Sequence, residues 1–130
     1  MSDTGYNGWK NYETWAIALW LDNDYGTYTL MRGLAMQSVE EVLTEQELDY
    51  QLPENRQNLI DKASYKMSDN IKEHIESNNP LAAEASVYTD LLGAAISEAD
   101  FEEIAQHYLE ADLVDSAISD RESDSEDVAE

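Results

Sequence analysis

The sequence predicts an all-α fold: a single-domain bundle of about five helices. Three observations carry this prediction. Only two prolines and five glycines interrupt 130 residues, and these are the strongest breakers of regular elements. Apolar residues recur at spacings of three and four, the repeat of one helix face. No β-hairpin signal competes, and there is no internal repeat. A mass of 14.7 kDa fits one domain. An apolar fraction of 42%, with eight Tyr and three Trp, can fill one core.

The first helix is expected from about Tyr12 to Asp22. Asn11 suits the N-cap, and Glu13 in the first turn suits the helix dipole. Tyr12, Trp15, Ala16 and Leu19 share one face, which Ile17, Trp20 and Leu21 widen. A helix apolar over so much of its circumference is expected to be the most buried element, with Trp15 and Trp20 in the core. Trp9 reads either as a lid over this helix or as an exposed contact. Asn23 to Gly26 reads as a turn.

The second helix is expected over Thr27 to Gln46, with Met31, Leu34, Ala35, Val39, Val42 and Leu43 on its apolar face. Gly33 costs about 1 kcal/mol there relative to Ala, unless another helix packs closely against it. Pro53 marks a break and suits the first turn of the next helix. The third helix, Glu54 to about Ser77, has the clearest stripe: Ile60, Ala63, Met67, Ile71 and Ile75. The fourth uses Tyr88, Leu91, Leu92 and Ala95 and ends near Ile96. The fifth is expected to start at an N-cap on Ser97, with Asp100 three residues on and Ile96 stapled to Phe101. Phe101, Ile104, Tyr108 and Leu113 continue its stripe.

The domain boundaries read as an N-terminal arm over 1–10, a helical domain over 11–113 and a disordered acidic tail over 114–130. From Ser116 the tail is rich in Ser, Asp and Glu. It carries too little apolar area to offset its ordering entropy.

Charge is the dominant feature. There are 29 acidic side chains against 7 basic ones, a formal net charge of -22. Without the last 18 residues, 22 acids still face 6 bases, so the folded body itself is anionic. Such a surface repels nucleic acid and anionic membranes and attracts basic proteins or cations. There is no Cys, which excludes disulfides and thiolate metal sites. No signal peptide is read at the N-terminus. The longest apolar stretch, Trp15 to Leu21, is too short to span a bilayer. A cytoplasmic protein, of a host cell where the gene is viral, is therefore expected.

Two segments carry a resemblance. Asn11-Tyr-Glu-Thr-Trp15, followed by Leu19-Trp-Leu-Asp-Asn-Asp-Tyr-Gly26, resembles an N-terminal motif of small phage and prokaryotic proteins of uncharacterised function. Asp90 to Ala105, with Leu91, Leu92, Gly93, Phe101 and Ile104, resembles a second motif of that group, in the same order. The middle, Met36 to Ala85, resembles nothing named. The resemblance implies a helical domain and a phage or mobile-element origin, and brings no catalytic residue with it.

The chemistry-bearing constellations are sparse. An EF-hand loop starting at Asp22 would need Gly where Thr27 stands and Glu where Gly33 stands, so that segment reads as a polar helix–helix turn. Glu103, His107 and Glu110 fall on one helix face. A metal site needs three or four ligands, the only other His is His74, and Glu-x-x-His is absent. They read as a surface Glu–His pair, with His74 a boundary residue and no metal or cofactor assigned. The aromatic set Tyr6, Trp9, Tyr12, Trp15 and Trp20 lacks the positive groove of a base-stacking platform. No nucleophile motif, phosphate loop or metalloprotease motif occurs, and no enzyme activity is assigned.

The acids themselves are patterned. Glu41, Glu45 and Asp49 repeat every four residues, so a continuing helix would align them about 6 Å apart. Glu98 and Glu102, with Glu103 and Glu110 beside them, begin a second anionic ridge that Asp112 and Asp115 prolong. These seven residues, Glu41 to Glu110, are the candidate contacts for a basic nucleic-acid-binding protein. The reading is a DNA mimic: a non-catalytic phage inhibitor of a host defence protein, with no direct nucleic acid and no membrane. The alternative is a halophilic accessory protein, whose Asp/Glu surface and four Lys reflect salt adaptation. The helix around Trp15 and Trp20 fits packing within the monomer or across a homodimer.

Overall fold

The computed structural model describes residues 5–45, 49–50, 52–81, 83–110 and 112–120. The fold is all-helical. Its elements are α1 (Tyr12–Asn23), α2 (Tyr25–Glu45), a 3-10 turn (Pro53–Asn55), α3 (Arg56–Ser77), α4 (Val87–Glu98), α5 (Phe101–Tyr108) and α6 (112–120). Among the described residues this makes six α-helical segments where about five were expected.

α3 is the centre of the bundle and packs extensively against both α2 and α5. Leu59, Ala63, Met67 and Ile71 form its fully buried stripe, with Ile60 and Ile75 half-buried at the edge. α2 answers with Met31, Ala35, Val39, Val42 and Leu43. Small residues on these two helices, Ala35, Ser38, Ala63 and Ser64, are all buried as well. Ser64 Oγ donates back to Ile60 O at 2.7 Å, whereas buried Ser38 Oγ has no hydrogen-bond partner among the described residues. The Gly33 position is not a close crossing: a Cβ there would meet nothing within 4 Å.

The junctions explain where the helices stop. Asp24 separates α1 from α2 alone, its Oδ1 accepting from Thr27 N at 3.1 Å and its carbonyl from Tyr28 N at 2.8 Å. α2 ends at Glu45, and the expected end at Gln46 lies outside the described residues. Beyond it the chain turns to bury Tyr50. The Tyr50 hydroxyl donates to Asn58 Oδ1 at 3.3 Å, and its carbonyl accepts from Arg56 Nε at 2.7 Å.

Four expectations are corrected. α1 is not the most buried element. It packs through one narrow stripe, Thr14, Ala18 and Leu21, so Trp20 lies on the far side and is 73% exposed. α4 packs through Leu92 and Ile96, one residue further round than the expected face, and leaves Tyr88 and Leu91 outside. The cap of α5 is Asp100, not Ser97: its side chain accepts from Glu103 N, and α4 runs on to Glu98. The change to a disordered tail does not come at residue 114. α6 continues to residue 120 and buries Leu113, Val114, Ala117 and Ile118, an i, i+1, i+4, i+5 pattern. The remainder of the expected tail, 121–130, lies outside the described residues.

Candidate functional site

The segment before α1 is built on a tight turn. Asn7 and Gly8 both have positive φ, 49° and 90°, the pairing that favours Asn-Gly in a type I′ turn. Tyr6 and Trp9 exchange backbone hydrogen bonds of 2.6 and 2.8 Å across it. This Asn-Gly signal is present in the sequence, although no hairpin was expected. Gly5 has φ 91°, and a Cβ there would strike Trp9 O at 2.1 Å, so only glycine fits. The turn sends two aromatic rings in different directions. Tyr6 packs on Tyr12 and Trp15, with ring centres 5.3 and 4.9 Å away. Trp9 lies edge-on to His107 of α5 at 5.3 Å and is half-buried.

From there a run of polar contacts fastens the start of the chain to α4 and α5. Lys10 N donates to Glu103 Oε1 at 2.9 Å, and Asn11 Nδ2 donates to Glu98 O at 2.8 Å. Asn11 Oδ1 accepts from Thr14 N and from Thr14 Oγ1, at 2.9 and 2.5 Å. The same buried hydroxyl accepts from Asp100 N at 2.9 Å. Thr14 thus joins the N-cap of α1 to the N-cap of α5. At the other end of α1, Asp22 receives the Tyr108 hydroxyl on Oδ1, and His107 Nε2 lies 3.1 Å from Oδ2. Burial, with Asp22 accepting the proton and adding its charge, pushes the Tyr108 hydroxyl above its ordinary range. Tyr28 stands behind Tyr108, ring centres 6.2 Å apart, and the Arg32 guanidinium lies 5.9 Å from the Tyr28 ring. Asn11, Thr14 and Asp22 belong to the first motif; Glu98, Asp100 and Glu103 belong to the second. The two motifs therefore meet in space.

The acids divide unequally. α3 carries four Asp or Glu and four Lys or Arg, and is balanced. Residues 78–120, after α3, carry ten Asp or Glu and no Lys or Arg. Of these, Glu98, Glu102, Glu110 and Asp112 are exposed. Glu103 is half-buried and tied to Lys10 N. Asp115 is paired with Arg56 Nη1.

The other ridge does not form as expected. Glu41 and Glu45 are exposed on α2, but Asp49 is not helical and stands in the turn into Pro53. Glu41 accepts from Gln37 Nε2 at 3.2 Å, and Glu45 pairs with Lys66 Nζ at 3.2 Å. Asp49 uses its carbonyl to hold Leu52 N and Asn55 Nδ2. His107 turns to Asp22 rather than to Glu103, so the expected Glu–His pair is not made. Among the described residues no three of His, Asp and Glu converge as metal ligands, and no helix is long and apolar enough to cross a membrane.

A family model described as a family of unknown function, DUF7249, matches residues 2–112. The chain belongs to this family. The match takes in both motifs and the polar contacts between them, and stops at the start of α6. No curated protein and no solved structure matches the chain. The arrangement is an α1–α4–α5 unit fastened by polar contacts, with Glu98, Glu102, Glu110 and Asp112 exposed.

Proposed function

We propose that the protein is a non-catalytic interaction module that binds a basic, nucleic-acid-binding protein through the anionic side formed by α4, α5 and α6. One observation carries this reading: ten acids without a single Lys or Arg over 78–120, with Glu98, Glu102, Glu110 and Asp112 exposed. Lys and Arg in a nucleic-acid-binding groove gain affinity by neutralising phosphates and releasing counterions. A protein surface of unpaired carboxylates can fill the same groove. The phage or mobile-element resemblance of the two motifs makes a host defence protein the partner class.

The test is recovery of a stoichiometric basic partner from the natural host at low salt, followed by affinity measurement. Glu98→Gln/Glu102→Gln/Glu110→Gln should weaken binding at least tenfold and flatten its salt dependence. Glu41→Gln/Glu45→Gln on α2 should change it little. Unchanged affinity in the triple variant would remove this face from consideration. A fold that melts without molar KCl would favour salt adaptation instead.

A further inference from the structure

α4 has two apolar sides and uses one. Leu92 and Ile96 face the core. Val87, Tyr88 and Leu91 are 62, 70 and 64% exposed. Spaced at i, i+1 and i+4, they are neighbours on one helix surface. Helices this apolar all round are normally buried on both sides. Scattered exposed apolar groups need no explanation, but three large ones within one turn mark a contact surface. The neighbouring helix repeats the pattern, with α1 touching α4 and exposing Trp20.

The charge around this face selects its occupant. α4 contributes Asp90 and Glu98, and Glu84 stands exposed just before it. Residues 11–31 and 73–120, which include all of α1 and α4, hold no Lys or Arg. A second copy of the same chain would bring acid against acid. A segment with an apolar stripe bordered by Lys and Arg would bury Tyr88 and Leu91 while neutralising the rim.

We infer that the outer face of α4 is a docking site for a basic amphipathic helix of the partner. This rests on the proposed function and refines it: the anionic surface attracts, and the α4 face captures by its apolar groups.

The probes are a synthetic Leu/Lys amphipathic helix of about four turns and an oligolysine of equal charge. Titration calorimetry against the full chain should show the amphipathic helix binding at least tenfold more tightly than the oligolysine. Tyr88→Ser/Leu91→Ser should abolish that difference and leave oligolysine binding unchanged. Both side chains are exposed, so the variant should retain the wild-type melting curve. Glu84→Gln/Asp90→Asn provides a second variant, expected to weaken both probes.

Equal binding of the two probes, or an amphipathic helix indifferent to Tyr88→Ser/Leu91→Ser, would overturn the α4 site and leave the anionic surface standing. Failure of both probes to bind would overturn both. A dimer in sedimentation equilibrium that Tyr88→Ser/Leu91→Ser dissolves would assign the face to a second copy and overturn the inference as well.

Discussion

α3 and α4 make opposite use of their composition. α3 has four acids and four bases in 22 residues, yet Leu59, Ala63, Met67 and Ile71 on it are fully buried. α4 has two charges in 12 residues, yet only Ile96 is fully inside. The contrast teaches that burial follows the number of neighbours rather than total hydrophobicity. α3 is flanked by α2 and α5, and one narrow stripe is enough to serve both. α4 lies at the margin beside α1, with more apolar surface than the bundle can cover. The excess is a property of the surface, available to something outside the chain.

The contrast is broken most directly by truncation. Met67→Ala should destabilise the fold by about 2–5 kcal/mol, because the cavity it leaves cannot collapse. Leu91→Ala should change stability by less than about 0.5 kcal/mol. Urea denaturation of both variants measures the difference, and a large loss from Leu91→Ala would mean that α4 is covered in solution.

The polar fastening of α1 to α4 and α5 should come next in size. Thr14→Val keeps the shape and removes the hydroxyl that bridges Asn11 and Asp100. It leaves Asp100 N without its acceptor and should cost about 1–3 kcal/mol. Native-state hydrogen exchange should show α1 opening first in this variant, while α3 stays protected. If α3 loses protection equally, the two regions unfold as one unit.

How much of this was legible in sequence differs between the same two regions. The α3 stripe was read from Ile60 to Ile75 with its central residues correct, because a polar helix leaves only one apolar face to choose. For α1 and α4 the period permits several faces. Thr14 and Ala18, the residues that pack, carry weaker signals than Trp15 and Trp20. Asp100 was seen as part of a cap but placed three residues too deep, since Ser97 offers an equally good N-cap by type. The anionic side was legible as composition, and Glu98, Glu102 and Glu110 are exposed as expected. The Glu41–Glu45–Asp49 row was not reliable, because periodicity does not reveal that Tyr50 is drawn into the core. The partners of Asp22 lie 85 and 86 residues away, and no local pattern reports such a contact.

Tyr108→Phe separates hydrogen bonding from packing in that contact. At neutral pH the loss should be about 1–2 kcal/mol, since Asp22 is partly exposed and water can replace the hydroxyl. The alkaline side is more diagnostic. The folded chain holds the Tyr108 proton more tightly than the unfolded chain, whose tyrosine titrates near its ordinary value of 10.0. The contribution is therefore full below about pH 10 and is lost as pH rises above it. The wild type should lose stability over this range more steeply than Tyr108→Phe, as denaturation at stepped pH can show.

A gain is expected at Gly33. It is exposed within α2, and a Cβ meets nothing within 4 Å. Gly33→Ala should stabilise the fold by about 1 kcal/mol through helix propensity alone. An unchanged or lowered midpoint would mean that the α2 surface at Gly33 is engaged by a neighbour.

The smallest effect should come from the largest side chain. Trp20 is 73% exposed on α1, and Trp20→Phe should shift stability by less than about 0.5 kcal/mol. Its spectroscopic effect should be clear. Trp9 and Trp15 are half-buried, so removing Trp20 takes away the most water-exposed emitter and should move the mean fluorescence to shorter wavelength. A blue shift without loss of stability places Trp20 with the surplus apolar surface of α1 and α4. A loss comparable to that of Met67→Ala would instead return α1 to the core, and the distinction between the two regions would fail at its most exposed residue.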